Sequence, residues 1–244
     1  MIATETLSDE DVAQPVHELR SFGRKRGRKP SREQARLLVE ALPRWRIDLD
    51  RLAGRNPAGL FDTPVSDVWL EIGFGGAEHM VRCAARHPDV GILGCEPFED
   101  GVVKALTAIE RQGLRNVRLH PDDARPLLRS LPDASLGRIY VLYPDPWPKR
   151  RHAKRRLLRR DVLTRLSALL RPDAELRVAT DISDYAATVL EEVWQVPSLC
   201  WTAETPADWR KPWPDWAATR YEEKALAAGR RPAYLRFVKR RTEV

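Results

Sequence analysis

The amino-acid sequence predicts an α/β protein with a doubly wound, seven-stranded, mostly parallel sheet and an antiparallel C-terminal strand. Three observations carry this. Apolar runs of strand length alternate with helix-length amphipathic segments five times between residues 68 and 194. That alternation is what parallel βαβ units produce. A glycine turn, Gly73-Phe-Gly-Gly76, follows the first apolar run at once. Acidic residues then stand at the ends of successive strands, where open α/β sheets collect their ligands.

The elements follow in order. Residues 1 to 19 are polar and lack an apolar period. With the basic run after them they read as a flexible arm over 1–29. Phe22 lies among arginines there, suited to stacking on a base. The rest, 30–244, reads as one domain. Ser31 with Gln34 makes a capping box, and Ala35, Leu38, Val39 and Leu42 give one apolar face before Pro43 ends the helix. Residues 43–66 carry Pro, Gly and Asn and read as irregular. Val68–Ile72 is the first strand, and Ala77 to Arg86 the helix after the glycine turn. Val90–Cys95 is the second strand, ending at Glu96; Phe98 to Gln112 is helical and stops at Gly113. Val117–His120 is the third strand, followed by Asp122 and Asp123. Arg138–Tyr143 is the fourth, before Asp145. Arg155–Leu170 is expected to be a helix, Glu175–Thr180 a fifth strand ending at Asp181, and Ser183–Trp194 a helix. Ser198–Ala203 reads as a sixth strand. A Pro- and Trp-rich loop spans 204–216, and a short helix runs to Gly229. Ala233–Lys239 alternates as an edge strand.

Composition narrows the function. The 244 residues are 43% apolar, yet no apolar run has the length of a membrane span. No signal-peptide core opens the chain. Cys83, Cys95 and Cys200 are odd in number and widely spaced. They suit reduced thiols in a cytoplasm and have no metal-ligand spacing, so neither membrane nor metal is expected. The net charge is +7, but it is uneven. Arg20 to Arg32 holds seven basic residues and no acid; Lys149 to Arg160 holds eight and no acid. Setting those aside leaves 27 of the 42 basic residues against 35 acidic ones. The body is acidic, and the positive charge sits in two stripes of the kind that bind a phosphate backbone.

Two sites stand out. Glu71, at the end of a buried-type strand, needs a partner to offset its desolvation. With Gly73, Gly75 and, about twenty residues on, Glu96, it suggests a nucleotide site: the glycines let backbone N–H groups approach, and the acid holds a ribose. Asp145, between Pro144 and Pro146, has little backbone freedom. Five carboxylates, Glu71, Glu96, Asp123, Asp145 and Asp181, fall at strand ends. Like charges repel, so their convergence has a functional rather than a packing explanation.

The motifs Leu70-Glu-Ile-Gly-Phe-Gly75, Gly94-Cys-Glu96, Pro144-Asp-Pro-Trp-Pro-Lys149, Arg151-His-Ala-Lys-Arg-Arg156, Ala179-Thr-Asp181 and Thr219-Arg-Tyr-Glu222 occur in this order. Together they resemble the bacterial tRNA (guanine-N7-)-methyltransferases, from the arm at Arg20 to the last strand. The resemblance implies a Rossmann-like methyltransferase domain that uses S-adenosylmethionine and acts on tRNA, at a guanine in the variable loop. It implies that Glu71, Gly73, Gly75, Glu96, Asp123 and Asp145 bind the cofactor, with Asp145 catalytic. Lys149, Asp181, Thr219, Arg220, Tyr221 and Glu222 would then contact the guanosine. Arg150, Arg151, His152, Ala153, Lys154 and Arg155 would meet the RNA. The family's glycine turn carries a further glycine where this chain has Ala77 or Glu78. A monomer and a homodimer are both compatible with the sequence. A nicotinamide dehydrogenase would share the glycine turn and Glu96 but not Asp-Pro-Trp; a non-catalytic RNA-binding module would not need the strand-end acids. A methyltransferase for an exocyclic amine or a protein is the nearest rival.

Overall fold

A computed structural model describes residues 30–241; the basic arm expected over 1–29 lies outside them. The sheet order is β3-β2-β1-β4-β5-β7-β6. Its strands are β1 (Asp67–Ile72), β2 (Val90–Cys95), β3 (Val117–His120), β4 (Leu136–Leu142), β5 (Leu170–Thr180), β6 (Leu199–Trp201) and β7 (Ala233–Lys239). Pairs among β1 to β5 are parallel, and β7 runs antiparallel to both β5 and β6. β7 is therefore interior, not an edge strand as its alternation suggests. Leu235 and Phe237 are buried in it, and the short β6 takes the edge.

The helices are α1 (Arg32–Arg36), α2 (Leu42–Trp45), α3 (Leu49–Leu52), α4 (Glu78–Arg86), α5 (Glu99–Gln112), α6 (Ala124–Ser130), α7 (Arg160–Leu169), α8 (Ser183–Trp194), α9 (Ala207–Arg210) and α10 (Arg220–Ala227). The two-residue period of β1 divides the core. Val68, Leu70 and Ile72 pack with Leu127 of α6, Leu166 of α7 and Val189 of α8. Trp69 packs on the other face with Met80 of α4 and Leu106 of α5. No helix among the described residues is long and apolar enough to cross a membrane.

Several boundaries differ from expectation for identifiable reasons. The Ser31 capping box forms, with Ser31 N–H on Gln34 Oε1 at 2.9 Å. The helix does not stop at Pro43. A π turn, Leu37–Ala41, sends the Leu42 N–H to the Leu37 carbonyl, and Pro43 falls in the first turn of α2, where no donor is required. The π turn also rotates the buried face onto Leu37 and Ala41, leaving Val39 74% exposed. The irregular stretch holds α3 and a 3₁₀ turn, Pro57–Leu60. α7 begins at Arg160 rather than Arg155, because residues 150–155 form a 3₁₀ turn and Arg159, the N-cap of α7, is extended. The Trp-rich loop belongs to the core. Trp213 is buried against Trp216 and Tyr234, and Asp215 bridges Arg138 and Arg177 at 3.0 and 2.6 Å.

Candidate active site

A cleft of about 400 Å³ opens at the carboxyl ends of β1 to β4, at the point where the strand order reverses. Glycines shape its floor. Gly73 and Gly75 adopt φ of +75° and +54°, a region open to glycine at little cost. A Cβ on Gly75 would lie 2.9 Å from the Tyr221 ring. Ala77, where the resemblance leads one to expect glycine, takes φ +66° regardless. Gly101, in the first turn of α5, escaped sequence reasoning. A Cβ there would lie 2.4 Å from the Gly75 carbonyl oxygen, so only glycine lets α5 close on the turn.

Three of the five strand-end acids line this cleft: Glu96, Asp123 and Asp145. Glu96 is 7% exposed. One carboxylate oxygen accepts from Gly75 N–H at 2.8 Å, the other from Phe98 N–H at 2.9 Å. Burial pushes its carboxyl up from the usual range; the two N–H groups pull it down, and the Asp145 charge adds to the rise. Asp123 caps α6, accepting from Arg125 N–H and from Arg125 Nη1, both at 2.8 Å. Asp122 is not on the wall; its carbonyl accepts from Cys95 Sγ at 3.1 Å.

Asp145 is exposed on the loop after β4. The loop is strained: Tyr143 and Trp147 hold φ of +51° and +43°, positions unfavourable for bulky side chains. Arg156 grips it. This guanidinium, 5% exposed, donates from Nε to the Pro146 carbonyl at 2.9 Å and from Nη1 to Thr188 Oγ1 at 2.5 Å. It also pairs with Asp184 and stacks over Tyr185 at 5.0 Å. In the sequence Arg156 looks like one more member of the basic run; in the fold it ties the Asp145 loop to α8.

Glu71 is not on the cleft wall. It shares the Trp69 face of β1, is 3% exposed, and meets His79 Nδ1 of α4 at 2.6 Å. Burial alone would lower the His79 pKa, but the Glu71 carboxylate and the Cys83 contact raise it. Asp181 also lies off this wall and pairs with Arg230. The Thr-Arg-Tyr-Glu motif divides. Thr219 Oγ1 caps α10, accepting Glu222 N–H at 3.2 Å. Glu222, 5% exposed, accepts from Trp216 Nε1 at 2.7 Å and from the Tyr234 hydroxyl. Both of its oxygens have internal donors, which leaves it inside the fold rather than facing the cleft. Tyr221 does line the cleft, and the Arg220 guanidinium lies 5.0 Å from its ring centroid.

Arg150–Arg155 forms a 3₁₀ turn at the rim, next to exposed Lys149. Arg151 and Lys154 are exposed and Ala153 is half-buried. Arg155 lines the cleft, its guanidinium 5.0 Å from the Trp147 ring centroid, and His152 meets that ring edge-on at 5.9 Å.

Residues 66–234, more than half of the chain, match a family model described as "Putative methyltransferase". The tRNA (guanine-N(7)-)-methyltransferase of Rhodospirillum rubrum is 48% identical over 229 residues, covering 93% of this chain and 90% of that one. The protein of that name from Nitrobacter winogradskyi is 46% identical, covering 91% and 87%. That from Roseobacter denitrificans is 47% identical, covering 89% and 95%. In fold alone, the 16S rRNA methyltransferase KamB gives a TM-score of 0.53 at 17% identity, covering 72% of this chain and 89% of that one. The 16S rRNA (adenine(1408)-N(1))-methyltransferase from Catenulisporales acidiphilia gives 0.50 at 18%, covering 81% and 95%. The chain belongs to the tRNA (guanine-N(7)-)-methyltransferase family.

Proposed function

We propose that this protein transfers a methyl group from S-adenosylmethionine to N7 of a guanine in tRNA, in the variable loop, forming 7-methylguanosine. The observation that carries this is the convergence of Glu96, Asp123 and Asp145 on one cleft at the sheet's switch point. The cleft suits the cofactor. Its volume lies within the range of small-molecule sites. Glu96 uses one lone pair on each oxygen for the two backbone N–H groups, leaving acceptor capacity for ribose hydroxyls. The glycine turn brings backbone close to the cleft without a Cβ at Gly73 or Gly75.

When bound, S-adenosylmethionine supplies an electrophilic methyl group on a sulfonium, and the electrons of the breaking C–S bond stay with sulfur. Guanine N7 carries a lone pair and no proton, so no proton moves and no general base is needed. The chain's task is to hold N7 in line and to set fixed negative charge near the cation that develops on the base. Asp145, exposed on a loop that Arg156 immobilises, is the carboxylate for that role. The exposed Arg151 and Lys154, with Lys149, form a cationic rim for the RNA backbone. The free, reduced cysteines support a cytoplasmic setting, and the reading holds for a monomer or a homodimer.

The test is methyl transfer from labelled S-adenosylmethionine to unmodified tRNA, followed by nucleoside mass spectrometry. Label at N7 of guanine is the expected result. Label on an exocyclic amine, or none on tRNA, would overturn it.

A further inference from the structure

Methylation at N7 converts a neutral guanine into a flat, delocalised cation. The cleft already displays a surface holding such a group. Trp147 lines it two residues beyond Asp145, and the Arg155 guanidinium, itself flat and delocalised, lies 5.0 Å from the indole centroid. The indole is rigidly presented. Its backbone sits at φ +43° between two prolines, and Arg156 holds the Pro146 carbonyl at 2.9 Å. The other cation-stacked ring of the cleft, Tyr221, lies against Gly75 instead. Arg155 also belongs to the basic rim, where a phosphate offers its guanidinium a stronger, charge-assisted partner than an indole face.

We infer that Trp147 is the stacking platform for the target guanine, and that Arg155 covers this face until an RNA phosphate draws it away. This rests on the proposed function. An aromatic face attracts a cation more than a neutral ring, so the platform favours the base increasingly as its positive charge develops.

The probes are guanosine 5′-monophosphate and 7-methylguanosine 5′-monophosphate, with binding measured directly below neutral pH, where the methylated ring keeps its charge. The wild type is expected to bind the methylated nucleotide about tenfold more tightly. Trp147→Phe should retain most of that preference and Trp147→Leu should lose it, with the preference for S-adenosylmethionine over S-adenosylhomocysteine unchanged in both. Arg155→Gln should bind either mononucleotide more tightly and tRNA more weakly, a crossing of signs that a merely structural arginine would not produce. An undiminished preference in Trp147→Leu would overturn the inference. So would loss of the sulfonium preference in its place, which would turn the indole toward the cofactor, or weaker mononucleotide binding by Arg155→Gln. Failure of the wild type to methylate N7 is read separately, in the transfer assay, and would count against the proposed function.

Discussion

Replacing Arg156 with alanine should reduce turnover far more than cofactor affinity. The bond from Nε to the Pro146 carbonyl has a charged donor on a buried side chain, so its loss costs about 1.5–3 kcal/mol. The stack on the fully buried Tyr185 adds about 1 kcal/mol. The ion pair with Asp184 adds little, because that carboxylate is 75% exposed. Against this total of about 2.5–4 kcal/mol stand the positive φ angles of Tyr143 and Trp147, each costing about 1–2 kcal/mol. The clamp and the strain are comparable, so removing the clamp lets the loop relax and moves Asp145. A displacement of about 1 Å is enough for a ~100-fold loss in kcat. Arg156→Lys should recover only part, since an ammonium cannot reproduce the planar fork. The assays are denaturant unfolding, calorimetric binding of S-adenosylhomocysteine, and single-turnover transfer to tRNA. Wild-type kcat in Arg156→Ala would refute the reasoning. So would a loss confined to tRNA affinity and its salt slope, since that is how a phosphate contact behaves.

Four further outcomes are expected. Asp145→Ala should abolish transfer while leaving bulk tRNA affinity nearly intact, as a filter-binding titration beside the transfer assay would show. Replacing Arg151 and Lys154 together by alanine should weaken tRNA binding and flatten its dependence on log salt by roughly 0.7–0.9 per contact; an unchanged slope would turn these residues toward solvent. Gly101→Ala should lower cofactor affinity at least about tenfold, because its Cβ would meet the Gly75 carbonyl at 2.4 Å. Helix propensity would favour the variant by only about 0.5–1 kcal/mol, too little to offset a clash with backbone, so unfolding free energy and cofactor affinity should fall together. The raised His79 pKa means that the folded chain keeps a proton the unfolded chain releases. This stability is complete below about pH 6.5 and is lost as pH rises toward the folded value. Unfolding free energies between pH 6.5 and 9 should therefore fall less steeply in Glu71→Gln than in the wild type.

Much of the site was legible because its signals are local. The Val90–Cys95 run and the acid after it mark a strand end by length alone, and the prolines flanking Asp145 announce a constrained loop. Less legible were residues whose roles depend on a partner far away in the chain. Glu71 and Ile72 are neighbours, yet strand alternation sends Ile72 to the cleft and Glu71 to His79. Glu222 stands in a motif suited to base recognition, but Trp216 and Tyr234 take up its oxygens. Pro43 reads as a helix stop until the π turn removes the need for its missing N–H.

The sequence by itself determined the order of the strands and of the longer helices, the glycine turn, the two basic stripes and the acids at the strand ends. Each follows from periodicity, backbone restriction or charge within a few residues. Tertiary structure alone decided which of those charges face the cleft. Arg155 and Arg156 are adjacent and chemically identical. One stacks on Trp147 at the rim, and the other is sealed against α8. Nothing local distinguishes them, because what separates their roles is the burial each acquires when α8 packs beside the loop.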